Sequence, residues 1–161
     1  MHKYYLTKTE CGFIKGADRI INEFGCFPSM ENGQIRNIRI MPSQRLEHRY
    51  DISIEFDITD WKKYSQLPNG DHIPETDSST ILLRFDGAHE FSITPRCIDM
   101  IDSCGGIKFT NDWNQKNWSQ DGWPNSIPEI PRPFRAFYIR RGDEFSIRFW
   151  DDECIASAEY Y

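Results

Sequence analysis

The chain contains no run of 18 apolar residues, and its opening, MHKYYLTKTE, is not a charged segment followed by an apolar one. A membrane-spanning helix needs about 20 apolar residues, so none is expected, and without a leader a cytoplasmic location is expected. Cysteine is sparse and odd in number: Cys11, Cys26, Cys97, Cys104 and Cys154, with no C-x-x-C. That pattern argues against a disulfide framework and predicts reduced thiols, mostly buried as small hydrophobes. The four histidines, His2, His48, His72 and His89, lack ligand spacing, so no metal site is expected. There is no G-x-S-x-G, no P-loop and no G-x-G-x-x-G, and SCGG at 103–106 reads as a turn, so neither a phosphate cradle nor a cofactor is expected. Basic residues are outnumbered, 19 Lys and Arg against 25 Asp and Glu, for a formal charge of −6. An acidic surface repels phosphate, so neither nucleic acid nor membrane is expected as a partner. It favours a basic protein, because complementary charge speeds encounter, although this charge is also ordinary for a soluble protein.

The chain is instead rich in aromatics: 11 Phe, 7 Tyr and 5 Trp in 161 residues. Such residues fill sheet cores and also anchor interfaces. The length fits one domain over 1–161 with a substantial core. Residues 1–12 show no clear period. Ile14, Ala17, Ile20, Ile21 and Phe24 then recur at three- and four-residue steps and predict an amphipathic helix. Gly25 stands where a left-handed cap belongs, Phe27 staples the turn, and Pro28 forbids continuation. From 33 onward the period is two. QIRNIRIM reads as a strand with a bulge near Arg36, where Ile35 breaks parity. YDISIEFDI (50–58) alternates cleanly, with Ile52, Ile54, Phe56 and Ile58 inward. A long polar loop, 59–78, follows. STILLRFD (79–86) turns at Gly87 and returns as a hairpin through HEFSIT (89–94). GGIKFTND (105–112) is a further strand. FRAFYIRR, EFSIRFW and ECIASAEYY read as a closing three-stranded meander. Between them, 113–133 is a Trp- and Pro-rich insertion. The class is therefore α+β: a strongly curved, mostly antiparallel sheet of about seven or eight strands with one N-terminal helix.

Four regions carry residues suited to a partner. Asp51, Glu55 and Asp57 share the outward face of one strand, and Asp60 follows. Alternating carboxylates are commonly a solvated face; as a patch they would meet a cationic partner. The loop beyond adds Asp71, Glu75 and Asp77. Trp113, Trp118 and Trp123 are spaced by five, which makes no helical stripe, so they either cover the core or dock on a partner. Asp151, Asp152 and Glu153 form an acid-rich turn, or a cage for Arg and Lys of a partner. They lack the glycine and the bidentate Glu of a calcium loop. No cysteine has a local histidine to activate it, so no catalytic residue is assigned and the chain does not read as an enzyme.

GADRIINEFGCFPSMENGQIRNI, STILLRFDGAHEFSIT and FSIRFWDDECIASAE, in that order, resemble the bacterial Immunity protein 50 family. That family's pattern has a helix ending in FG-x-W-P-S, a strand-turn-strand with L-x-F-x-G, and a closing F-x-C/F segment. Phe24, Gly25, Pro28, Ser29, Phe85, Gly87, Phe149 and Cys154 carry the match. Phe27 stands where Trp is usual, and Glu31-Asn32 replaces the family's His-Asp pair. The resemblance implies an immunity protein of a polymorphic-toxin or contact-dependent growth-inhibition system. Such a protein binds a cognate toxin domain and blocks its active site. The acidic charge favours a basic toxin, a nuclease and most simply an RNase. The reading from another class is a small-ligand binding domain with an aromatic-lined pocket.

Overall fold

The alternation in 50–58 becomes a strand over the same residues. In a computed structural model, which describes residues 5–30, 33–58, 70, 79–94, 106–110, 134–139 and 145–161, β4 (Tyr50–Ile58) buries Ile52, Ile54, Phe56 and Ile58 and turns Asp51, Ser53, Glu55 and Asp57 to the other face. Successive side chains of a strand alternate between faces, so one apolar set suffices to orient it. β3 (Gln34–Pro42) and β5 (Ser79–Ala88) flank β4, and β10 (Ile155–Tyr160) lies beyond β5, all antiparallel. The expected bulge is present: pairing with β4 skips Arg36 between Ile35 and Asn37. The extra residue restores Ile35, Ile38 and Ile40 to the core side.

A second sheet has the order β6-β9-β8-β7, formed by β6 (Glu90–Ile93), β7 (Ile107–Thr110), β8 (Phe134–Ile139) and β9 (Phe145–Trp150). Two short strands, β1 (Tyr5–Leu6) and β2 (Phe27–Pro28), pair separately. The four-stranded sheets meet through phenylalanine. The Phe85 ring centroid lies 5.1 Å from Phe137, 5.5 Å from Phe149 and 6.3 Å from Phe109, and all four rings are buried. Tilted and edge-on contacts at such distances suit the quadrupoles of the rings.

The architecture is α+β and mostly antiparallel, as expected, but it is not one strongly curved sheet. The reason is edge occupancy. A strand has two edges, and both edges of β5 are taken, by β4 and β10. Segment 89–94 therefore cannot return as its hairpin partner; β6 leaves and pairs with β9. Both edges of β9 are in turn held by β6 and β8. The closing meander is accordingly absent, and β10 crosses back to β5. Two crossings, β5 to β6 and β9 to β10, thus divide the strands between sheets.

The helical part also differs from expectation. α2 (Ala17–Phe24) buries Ala17, Ile20 and Phe24 and leaves Ile21 half-buried. It is capped by left-handed Gly25, whose N–H donates to the Ile21 carbonyl at 2.7 Å. It begins three residues later than the stripe suggests, because Gly16 has φ +86 and lies against the Ala158 carbonyl of β10. Ile14 is buried all the same, ahead of the helix. The helix is not the first element either. β1 and a short helix, α1 (Lys8–Cys11), precede it. Thr7 and Glu10 close a reciprocal capping box on α1, a T-x-x-E signal present in the sequence. Among the described residues no helix is long and apolar enough to cross a membrane.

Candidate functional site

The outward face of the β10-β5-β4-β3 sheet holds Asp51, Glu55 and Asp57, three of the six described candidate carboxylates. Its side chains lie in rows across the strands. Met41, Asp51, Asp86 and Ile155 form one row, and Arg39, Ser53, Arg84 and Ser157 the next. Asn37, Glu55, Leu82 and Glu159 follow. The acidic strand is therefore interleaved with arginines from β3 and β5. Arg36 pairs with Asp57 at 3.0 Å, and Arg84 with Glu159 at 3.4 Å. These arginines are visible in QIRNIRIM and STILLRFD. Their neighbours are not, because strand adjacency is a long-range property.

Each predicted carboxylate of β4 already has work inside the fold. Asp51 accepts from the backbone N–H groups of Gln44 and Gly87, both at 3.1 Å. Asp57 accepts from the Thr80 hydroxyl at 2.8 Å as well as from Arg36. Glu55 hydrogen-bonds the Tyr161 side chain, and that contact helps raise the Tyr161 pKa, after desolvation and the Glu55 charge.

The turn between β9 and β10 is used similarly. Arg135 Nε donates to both oxygens of Asp151, at 3.0 and 2.8 Å, and its guanidinium lies 4.1 Å over the Phe13 ring. Arg49 Nε donates to Glu153 at 2.9 Å. Asp152 is the exposed member. The two acidic clusters converge on one corner around Gly87, which the sequence does not suggest. Arg45 donates to the Asp86 carbonyl at 2.9 Å and to the Glu153 carbonyl, clamping loop 43–49 onto both sheet crossings. Gly87, at φ +95, is needed there: a Cβ would stand 2.8 Å from the Arg45 guanidinium and 2.9 Å from Leu46. Asp60, Asp71, Glu75, Asp77, Trp113, Trp118 and Trp123 lie outside the described residues.

Asp51→Ala is expected to destabilise the protein by about 2 kcal/mol, because two backbone donors lose their acceptor at a half-buried site. Glu55→Ala should stay within about 0.5 kcal/mol. Urea unfolding of both variants measures the difference, and equal costs would remove the structural role assigned to Asp51.

Between the rows lies an open depression of about 250 Å³, lined by Arg39, Met41, Asp51, Ser53, Arg84 and Asp86 together with Ile52. It exists because Ser53 is short while its cross-strand neighbours, Arg39 and Arg84, are long. Burial and the Asp51 charge push the Asp86 carboxyl above its ordinary value, against the opposing pull of Arg84 and Arg45.

The described thiols, Cys11, Cys26 and Cys154, are buried and free. Burial pushes Cys11 up to about 11 and Cys26 up to about 12, and raises Cys154 further. A thiol held protonated is a poor nucleophile, so these positions do not suit cysteine catalysis. Because the folded pKa values exceed the ordinary thiol value, near 9.0, the unfolded chain loses its protons first. The stabilisation is therefore complete below about pH 9 and is lost as pH rises from there through the folded values. Alkylation mapped by mass spectrometry at pH 8 should label these three positions at least 100-fold faster in urea than in the native state. Comparable rates would show that the sites open freely.

Among the described residues no group of three or more His, Cys, Asp or Glu is placed to hold a metal ion. Comparison with known proteins finds no matching family model, no matching characterised relative and no matching solved structure.

Proposed function

We propose that this chain is an immunity protein that binds a basic toxin domain in the cytoplasm of the producing bacterium and occludes its active site. The observation that carries the reading is the FGCFPS segment (24–29): α2 ends at Phe24 and is followed by Gly25, Pro28 and Ser29, as in the FG-x-W-P-S of the Immunity protein 50 resemblance, with Phe27 in place of Trp. Net charge supports it. Internal ion pairs cancel one for one, so the surplus of −6 remains for a cationic partner however the carboxylates are paired.

The candidate contacts narrow on physical grounds. Asp51, Asp57, Asp151 and Glu153 are committed to internal donors, so removing them perturbs the fold first. Glu55, whose removal is expected to leave the fold nearly unchanged, and exposed Asp152 stay candidates for the partner, as do the acids at 60, 71, 75 and 77 and the three tryptophans. The small-ligand reading has weaker support in the interior, where Phe85, Phe109, Phe137 and Phe149 pack on one another.

The test is co-expression with the product of the reading frame immediately upstream in the source bacterium. Rescue of poisoned cells, with co-purification at nanomolar affinity or tighter, is the expected result. Raised salt and charge reversal at the contacts should both slow association. Neither rescue nor co-purification would overturn the proposal.

A further inference from the structure

We propose that the depression on the outward face of the β10-β5-β4-β3 sheet is a binding site for a zwitterion of amino-acid size. The site holds opposite charges, of which Arg39 and Asp86 form no close ion pair among the described residues, although the Arg84 and Arg45 charges act on Asp86. Arg39 is exposed and makes no ion pair among the described residues. Asp86 is half-buried, and its carboxylate accepts no hydrogen bond there; only its backbone carbonyl is engaged, by Arg45. The Ser53 hydroxyl on the floor likewise has no partner among the described residues. Asp51, the neighbouring acid, already accepts two backbone donors. The acceptor left to a ligand is therefore Asp86, and the donors are Arg39, Ser53 and the Arg84 guanidinium, which Glu159 holds at only 3.4 Å.

These groups are arranged for two opposite charges. Arg39, Ser53 and Arg84 stand directly opposite one another across three strands, and Asp86 stands one row along the same face. A carboxylate fits the first row, where two guanidiniums and a hydroxyl converge. An ammonium fits Asp86, whose carboxylate faces the Asp51 charge across the strands and gains from a cation. Rows on one face are roughly 7 Å apart. A carboxylate and an ammonium separated by one carbon, each reaching its partner across a hydrogen bond of about 2.8 Å, span a distance of that order. A phosphate suits the site less, since its second charge would face Asp51 and Asp86. The volume, about 250 Å³, admits a small molecule and is smaller than drug-sized pockets. This inference does not depend on the toxin-binding reading.

The experiment titrates the full chain with the free protein L-amino acids, by calorimetry and by amide chemical shifts. The N-acetyl and carboxamide derivatives of the tightest one follow. Saturable binding is expected, with a dissociation constant of about 1 mM or tighter and shifts centred on Arg39, Ser53, Arg84 and Asp86. Acetylation, which removes the cation, and amidation, which removes the anion, should each weaken binding about tenfold or more. Arg39→Gln, at an exposed position that should leave thermal unfolding unchanged, should weaken it similarly, as should Asp86→Asn. No saturable binding by any amino acid would overturn the proposal. So would binding that survives both derivatives, or binding that Arg39→Gln leaves intact. Shifts produced only by a protein partner's side chains on this face would replace it with a protein contact.

Discussion

Phe85→Ala is expected to cost about 4 kcal/mol of folding stability. Phe85 is 1% exposed and sits on β5, and its ring touches Phe109, Phe137 and Phe149 of the second sheet. Truncation removes the transfer free energy of a whole ring and leaves a void between two four-stranded sheets. Hydrogen-bonded sheets cannot collapse far into such a void, so the cavity term stays near its upper range. For a chain of this length the change corresponds to a fall in melting temperature of roughly 8–16 °C. Phe85→Leu keeps most of the volume and should cost less than about 1.5 kcal/mol. Urea denaturation of both variants checks the claim. A cost below 1 kcal/mol for alanine would mean that the two sheets do not meet through this ring.

Gly16→Ala should be the second most damaging single change, at about 3 kcal/mol. Two effects add. The residue has φ +86, where an alanine is disfavoured by roughly 1–2 kcal/mol. Its Cβ would also stand 2.2 Å from the Ala158 carbonyl oxygen, a backbone atom. That oxygen cannot move alone, because Lys15 N–H donates to the Ala156 carbonyl at 2.9 Å and Ala158 N–H to the Lys15 carbonyl at 2.7 Å. Relief of the clash therefore breaks this two-bond bridge and lifts the start of α2 from β10, at about 1 kcal/mol per bond. The variant should lose protection from hydrogen exchange at Lys15 and Ala158 before it loses protection in β4. Uniform protection with unchanged stability would show that the approach of segment 14–16 to β10 is looser than described.

These two positions differ in how far sequence reveals them. Phe85 was legible as a core residue, since Ile81, Leu83 and Phe85 share one parity of an apolar strand, flanked by Arg84 and Asp86, and all three are buried. The rings it meets were not legible, because they lie on strands that follow it in the chain and belong to another sheet. Gly16 gave no signal: a glycine inside an amphipathic pattern reads as a weak helix position, and only the approach of β10 explains its left-handed backbone. The capping box at Thr7 and Glu10 was available locally and marks where α1 starts.

The candidate site divides in the same way. The alternation of β4 placed Asp51, Glu55 and Asp57 on one outward face, and that face is where they lie. Whether those charges are free was decided by β3, β5 and loop 43–49, which bring Arg36 to Asp57 and the N–H groups of Gln44 and Gly87 to Asp51. Asp151 and Glu153 meet Arg135 and Arg49, the latter from 104 residues away.

The sequence by itself determined the local matters: the faces of β3, β4 and β5, the bulge at Arg36, the left-handed cap at Gly25, the acidic surplus and the burial of the described thiols. Period and parity decide these, and they act over a few residues. Tertiary structure alone decided which strands share a sheet, and hence which charges meet. Each inner strand offers two edges. Once β4 and β10 occupy those of β5, and β6 and β8 those of β9, the chain must cross between sheets. No local pattern encodes that competition for edges.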